Sequence, residues 1–310
     1  IIPTMEVVRS LRPRWFLMEN VPNMQRTIIQ DENDEYINIV EYVEKQLGTD
    51  YEGRAEVIFC SDYGIPQRRP RLITLYTRDE IGKQYLRSHG TFFPDSEKLP
   101  PITLRQAIGH LPPLSAEKGK NSRVDFHPYH YVPIMNPEKL WWVKNTPEGS
   151  TAYNNQCVNP DCLYQGNEGH KDVVNNGIAQ ASTEIPIYCK KCGELLPRPS
   201  LIDKKTKKRR LLKGFHSAYR RMRWDEPART LTQNFIYEAS DNKIHPDQDR
   251  VLSFYEALII QSVDQYTYDF SLNGKPIGNS LFAQILGESV PPRLIHMICE
   301  KIVNLTEQCK

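Results

Sequence analysis

Arg14-Trp15-Phe16-Leu17-Met18-Glu19-Asn20-Val21-Pro22 is the stretch on which the reading of the fold turns. Trp15 to Met18 is a continuous apolar run, and with Arg14 it suits a strand buried on both faces. Glu19 and Asn20 follow it directly. Ligands of open α/β sheets bind beyond the carboxyl ends of strands, so a carboxylate placed here is a candidate for chemistry. The plainer alternative is a helix cap or a surface acid.

Outward from this stretch the grammar is that of alternating helix and strand. Pro3 to Leu11 reads as a short helix. Met24 to Leu47 reads as a longer one, with Ile28, Ile39, Val40, Val43 and Leu47 forming its apolar stripe and Gly48 its stop. Ala55 to Cys60 and Leu72 to Tyr76 read as two further strands. The expected class is therefore α/β, the second half of a doubly wound, Rossmann-like sheet over residues 1–92. From Phe92 onward prolines crowd a loop-rich sequence, broken by a short helix at Thr103, where Thr103 and Gln106 have capping-box spacing. This second unit is expected over 93–282. Ser253 and Glu256 repeat the capping-box spacing before a helix through Ile260. After Pro291-Pro292 a final helix carries Ile295, Ile298, Ile302 and Leu305 on one face, so 283–310 is expected to return to the first unit.

A chain of 310 residues is long enough for two such units. Its 39% apolar and 25% charged residues are ordinary for a soluble protein, and no apolar run is long enough for a membrane helix, so no membrane partner is expected. The chain begins Ile1-Ile2-Pro3 without the layout of a signal peptide, and is expected to be cut from something longer. Seven cysteines, four of them in two close pairs, argue against a disulfide scaffold and for a reducing compartment, hence a cytoplasmic protein.

The net charge of +2 conceals segregation. Acids dominate Asp31 to Glu56, whereas Lys204, Lys205, Lys207, Lys208, Arg209, Arg210, Arg220 and Arg221 lie in a stretch with the single acid Asp203. Such a run is either a polyanion-binding face or a solvated loop. Cys157 and Cys162, then Cys189 and Cys192, have spacing that lets four thiolates hold one tetrahedral zinc, expected to be structural because no position stays open; disulfides are the alternative. Trp141-Trp142 could stack on bases, though one buried and one partly covered ring is commoner. In Gln67-Arg68-Arg69-Pro70-Arg71, alternation puts Gln67, Arg69 and Arg71 on one face, a clamp for an anion or carbonyl, or else a salt-bridged strand edge.

Order and spacing are more specific than any of these alone. Glu19-Asn20-Val21, then Tyr63-Gly64-Ile65-Pro66-Gln67-Arg68-Arg69-Pro70-Arg71, resemble two successive signatures of the DNA (cytosine-5)-methyltransferases. Arg223-Trp224-Asp225-Glu226-Pro227-Ala228-Arg229-Thr230-Leu231-Thr232 resembles the motif closing their target-recognition region. His245-Pro246 through Arg250-Val251-Leu252-Ser253, with Glu256-Ala257 and Gln261-Ser262, continues the resemblance. Gln284-Ile285-Leu286-Gly287-Glu288-Ser289-Val290-Pro291-Pro292 is similar to the last motif, with Glu288 where the family usually has Asn.

The resemblance implies a methyl transfer from S-adenosylmethionine to carbon 5 of a flipped-out cytosine in double-stranded DNA, in a restriction-modification setting. A cysteine thiolate adds to carbon 6. By this likeness Glu19 serves the ring nitrogen, and Arg71, with Arg69, the base carbonyl. Asn20 and Gln67 are expected at the substrate, and Gly287, Glu288 and Ser289 near the cofactor. The zinc-bearing insertion spans about 153–197, and the basic run contacts phosphates. The family's glycine-rich loop and Pro-Cys nucleophile are absent, since no Gly-x-Gly or Pro-Cys occurs. Cys60 reads as a small buried strand residue. The chain is accordingly expected to be the C-terminal part of the enzyme, inactive without an N-terminal portion or complementary subunit. A DNA-binding homologue without catalysis and an RNA cytosine methyltransferase are the alternatives.

Overall fold

A computed structural model describes residues 1–170, 173–175, 178–180, 185–214, 217–240 and 243–307. Parts of the expected insertion and the last three residues of the return segment lie outside these. The chain separates into two compact units, Ile1–Ile102 with Val290–Lys310, and Thr103–Ser289. The breaks fall later than the expected 92/93 and 282/283, for packing reasons. Phe92 and Phe93 are buried with Leu294 and Ile298 in the first unit, whereas Ala283 and Leu286 are buried in the second.

The first unit contains α1 (Ile2–Leu11), β1 (Trp15–Asn20), β2 (Ile28–Gln30), β3 (Tyr36–Asn38), α2 (Ile39–Leu47), β4 (Glu52–Phe59), β5 (Gln67–Arg68), β6 (Pro70–Thr77) and α3 (Glu80–His89). Three strands form one sheet in the order β1-β6-β4, with β6 antiparallel to both neighbours. The chain between β4 and β6 is too short for the crossover of about a dozen or more residues that a parallel return needs. Along β1, Phe16 and Met18 pack with residues of α1 and α2, while Trp15 and Leu17 pack on the opposite face with Leu86 of α3 and Leu294. Both faces are covered, yet only Phe16 is fully buried, because β1 is the edge of this sheet among the described residues. The strand also runs through Glu19 and Asn20, so these residues belong to its end rather than follow it.

The long helix expected over Met24 to Leu47 is replaced by a hairpin, β2 and β3, and the shorter α2. The Asp31 carboxylate accepts the amides of Asn33 at 2.9 Å and Glu35 at 3.0 Å, and Asp34 sits at φ 63°. These local bonds offer the backbone a turn in place of a helix. Ile28 is consequently exposed, while Ile39, Val43 and Leu47 are buried on α2, whose amide ladder closes at Gly48. The final helix, Pro292–Glu307, buries Leu294, Ile298 and Leu305, a stripe in which Leu294 takes the place expected for Ile295.

The second unit has α4 (Leu104–Ile108), α5 (Pro137–Lys144), α6 (Phe254–Ile260) and α7 (Asn279–Glu288), with long connecting segments. Both expected capping boxes are formed, Thr103 with Gln106 and Ser253 with Glu256. One core gathers Leu104, Trp224, Phe254, Leu258, Phe282 and Leu286; another gathers Leu140, Trp142, Tyr153 and Tyr219. Trp142 is only 2% exposed and meets Tyr219 edge-on, so its ring is core and not a stacking platform.

Glu256 does more than cap α6. Its two oxygens take the Nη1 and Nη2 of fully buried Arg250, both at 2.7 Å, and Oε2 also accepts the Ser253 amide at 2.7 Å. Burial by itself raises the Glu256 pKa, but the Arg250 charge and these bonds outweigh it and hold the group down, to about 2. A depressed carboxylate stabilises the fold above its unfolded pKa and loses that contribution as pH falls through the folded one. Denaturant midpoints measured from pH 5 down to pH 2 should therefore fall with acid, and Arg250→Met should lower stability at neutral pH by stranding the carboxylate.

Candidate active site

The carboxyl end of β1 is where the first unit assembles its charged groups. β4 ends at Phe59, and Cys60 opens a tight turn whose return is closed by the Cys60 amide on the Arg69 carbonyl at 3.0 Å. This fixes the register of β6, in which Arg71 lies opposite Ile58, while Ile73 and Leu72 lie opposite Glu19 and Asn20. Arg71 and Ile73 share a face, so Arg71 is the diagonal neighbour of Glu19 across the strands. Arg71 Nε lies 2.6 Å from Glu19 Oε1, with the side chains 10% and 21% exposed. Arg71 Nη1 also donates to the Pro70 carbonyl at 2.8 Å, so the guanidinium is held at two points.

The neighbouring groups follow the expected alternation. Gln67, Arg69 and Arg71 are buried, and Arg68 is exposed with its guanidinium 5.3 Å from the centre of the Phe59 ring. Burial, and then the like charge of Arg71, lower the Arg69 pKa to about 10. Asn20 uses its side-chain oxygen to accept the Val21 amide at 2.8 Å, fixing the exit of the strand. Cys60 is fully buried, one residue beyond β4 rather than in it. Burial pushes its thiol up to about 12 against the pull of Arg69 and Arg71, so it is a protonated, inert thiol at neutral pH.

In the second unit the sulfurs of Cys157, Cys162, Cys189 and Cys192 all lie within 4.8 Å of one another. Cys157 is 3.6 Å from Cys192 and Cys162 is 3.9 Å from Cys189, far beyond the roughly 2.05 Å of a disulfide. A tetrahedral zinc with bonds of about 2.3 Å would space its sulfurs about 3.8 Å apart. Asn167 adds an outer contact, donating to Cys189 Sγ at 3.7 Å and accepting the Lys190 amide at 2.8 Å.

The basic run forms a hairpin of Ser200–Ile202 and Arg209–Leu211. Asp203 organises its turn by accepting the amides of Lys205 and Thr206 at 3.0 and 2.9 Å, leaving Lys204, Lys205, Lys207 and Lys208 exposed. Arg210 is exposed beside Asp203 at 3.4 Å, and Arg209 pairs with Glu138. Arg221 departs from its expected role in DNA contact. It is 4% exposed, and its guanidinium donates to the carbonyls of Val143, Thr146, His245 and Gln248 and to Asp249.

A family model for C-5 cytosine-specific DNA methylases matches residues 1–304. The chain belongs to that family. The methylase is 28% identical to the Type II methyltransferase M1.HgaI of Avibacterium volantium over 98% of this chain and 70% of that protein. It is 25% identical to the Type II methylase M.HgiDII of Herpetosiphon aurantiacus over 97% of this chain and 68% of the other. A solved structure described as a DNA modification methyltransferase encoded within an E. coli prophage is 19% identical, with a TM-score of 0.45 over 98% of this chain and 72% of that one.

Three residues of the methylase expected near a cofactor also make contacts inside the fold. A Cβ on Gly287 would lie 2.1 Å from the Gln233 nitrogen and 2.4 Å from the Thr232 carbonyl carbon, so α7 rests on that turn only because residue 287 lacks one. Gly287→Ala should therefore cost roughly 1–3 kcal/mol in denaturant melts, the usual cost of overpacking. Glu288 is exposed and accepts from Gln284 at 3.3 Å. Ser289 is tied to Gln261, whose Nε2 donates to its carbonyl and its Oγ, both at 2.8 Å. The Arg250–Glu256 pair escaped sequence reasoning because a capping box already accounted for Glu256.

Proposed function

We propose that the methylase acts on carbon 5 of a flipped-out cytosine in duplex DNA, as the modification partner in a restriction-modification system, with Glu19 and Arg71 activating the base. The observation that carries this reading is their 2.6 Å pair at the carboxyl end of β1, in a chain of the cytosine methylase family. Glu19 holds a proton or strong hydrogen bond at the ring nitrogen, and Arg71 both aims Glu19 and meets negative charge developing on the base carbonyl. Buried Arg69 adds a second fixed charge, while Gln67 and Asn20 shape the approach to the base.

The thiolate that adds to carbon 6 comes from a further portion of the enzyme or a complementary subunit. In support, Cys60 is inert, Cys157, Cys162, Cys189 and Cys192 are gathered in one cluster, Cys299 stands exposed on the final helix, and none of the seven cysteines, Cys309 included, follows a proline. S-adenosylmethionine supplies the methyl group in this family, and Gly287, Glu288 and Ser289 are the residues by which this chain would meet it. The four sulfurs do fit a zinc, whose place is structural.

The test is 5-methylcytosine, measured by mass spectrometry after incubation with labelled S-adenosylmethionine and duplex DNA, with and without a segment carrying a Pro-Cys nucleophile. Product only in the presence of that segment is expected. Methylated RNA without methylated DNA would sink the substrate reading, and full transfer by these residues alone would sink the requirement for a second portion.

The hairpin tip is read as a phosphate contact. Replacing Lys204, Lys205, Lys207 and Lys208 with Gln should weaken cognate and random duplexes alike, and should flatten the slope of log affinity on log salt by about 0.9 for each phosphate no longer neutralised. An unchanged slope would make the tip a solvated turn.

A further inference from the structure

Four arginines line one small pocket of the second unit, two from the end of the basic run and two from the segment that follows it. The pocket holds about 120 Å³ and is bounded by Gly149, Arg220, Arg221, Met222, Arg223, Glu226, Pro227 and Arg229. Its lining carries four guanidiniums against the single carboxylate of Glu226. Like charges are not brought together in a fold without an anion to meet them or a specific compensation for each.

Arg221, the floor, is compensated inside the fold. It is 4% exposed and has five acceptors, one of them the Asp249 carboxylate at 2.8 Å, so its charge is already paired and it has no spare donor. Arg220 is half-buried, and its Nη1 donates to the Gly149 carbonyl at 2.6 Å. Arg223 and Arg229 are exposed at the mouth. Arg223 faces Glu226 at 3.6 Å with both side chains half in water, an ion pair of little energetic weight.

The walls are built to hold these groups in place. Gly149 sits at φ 71°, and a Cβ there would lie 2.6 Å from Arg223 Cζ, so the guanidinium rests directly on the backbone of the turn. The Glu148 side chain accepts the Trp224 amide at 2.7 Å, and the Arg221 amide donates to the Ser150 carbonyl at 2.9 Å, clamping the two segments together. Buried Trp224 anchors the segment beneath.

We infer that this pocket seats one backbone phosphate of the DNA, with the exposed Arg223 and Arg229 as its donors and the internally paired Arg221 holding the wall in place. A planar guanidinium offers paired donors to two phosphate oxygens, which a lysine cannot reproduce. The inference rests on the DNA reading above and names where, apart from the hairpin tip, the duplex is gripped. A phosphate seat of this kind positions the duplex without reading its sequence.

The experiment measures binding of a fluorescent mixed-sequence duplex to the full chain across a salt series, for wild type, Arg223→Gln/Arg229→Gln, and Arg223→Lys/Arg229→Lys. The Gln pair, both on the exposed rim, should lower affinity about tenfold and make the log–log salt slope shallower by about 1, the signature of one phosphate left without its cation. The Lys pair should keep the slope but not the full affinity, because charge is retained while the paired donors are removed. Wild-type affinity and slope in the Gln pair would overturn the phosphate seat and leave the DNA reading intact. A wild-type chain with no salt-dependent affinity for the duplex would overturn both.

Discussion

Glu19→Gln, assayed with the proposed nucleophile-bearing portion supplied, should lower kcat by about 10²–10⁴-fold, the range associated with loss of a positioned general acid. The substitution conserves shape, and Glu19 is one-fifth exposed at a strand end, so neither the fold nor duplex affinity should change appreciably. Loss confined to kcat and kcat/KM, with KM for DNA near that of wild type, is the pattern of an interaction made in the transition state. Arg71→Ala should be at least as damaging, since it removes both the charge at the base carbonyl and the partner that aims Glu19 from 2.6 Å. Full turnover by Glu19→Gln would mean that the carboxylate is a strand-end ion pair and nothing more.

Replacing Cys189 and Cys192 together by Ser should remove close to one equivalent of zinc per chain and unfold the segment around the cluster. The scale is set by structural zinc sites, whose apparent binding energy of about 10–16 kcal/mol at neutral pH is also folding energy. Among the described residues little else is available locally, because the buried apolar cluster here is Cys157, Cys189 and Leu196 with Cys162 and Tyr164 packed against it. The base of the segment should survive. Asn155 Nδ2 donates to the Trp142 and Pro197 carbonyls at 2.8 and 2.6 Å, and buried Arg198 donates to the Asn155, Glu168 and Pro186 carbonyls. Limited proteolysis of the variant should therefore cut between Cys157 and Cys192 and leave the remainder of the second unit whole. Elemental analysis finding no zinc in wild type, with four thiols titrating normally, would refute the site.

The strands were legible because short apolar runs bounded by turn residues have few other uses, and the site was legible because Glu19 and Arg71 fall at their ends. What failed did so through local or long-range bonds that periodicity does not register. The turn at Asp31 overrode the apparent stripe from Ile28 to Leu47. The antiparallel place of β6 follows from a short connection, which helix and strand alternation ignores. Arg221 looked like its cationic neighbours, yet five acceptors from distant segments had claimed it. Gly287 sits in a signature motif, but its requirement comes from the Thr232–Gln233 backbone lying against it.

Because Glu19 and Arg71 stand on adjacent antiparallel strands, their meeting depends on the alignment of β1 with β6 and not on either residue's own neighbours. A slip of one position would turn Arg71 to the opposite face of the sheet and exchange the two packed faces of β6, with Leu75 on one and Tyr76 on the other, so the alignment is strongly specified. Turnover thus acts as a gauge of strand alignment in the first unit: substitutions in the Cys60–Arg69 return that shift β6 should silence the enzyme and loosen the packing on both faces together.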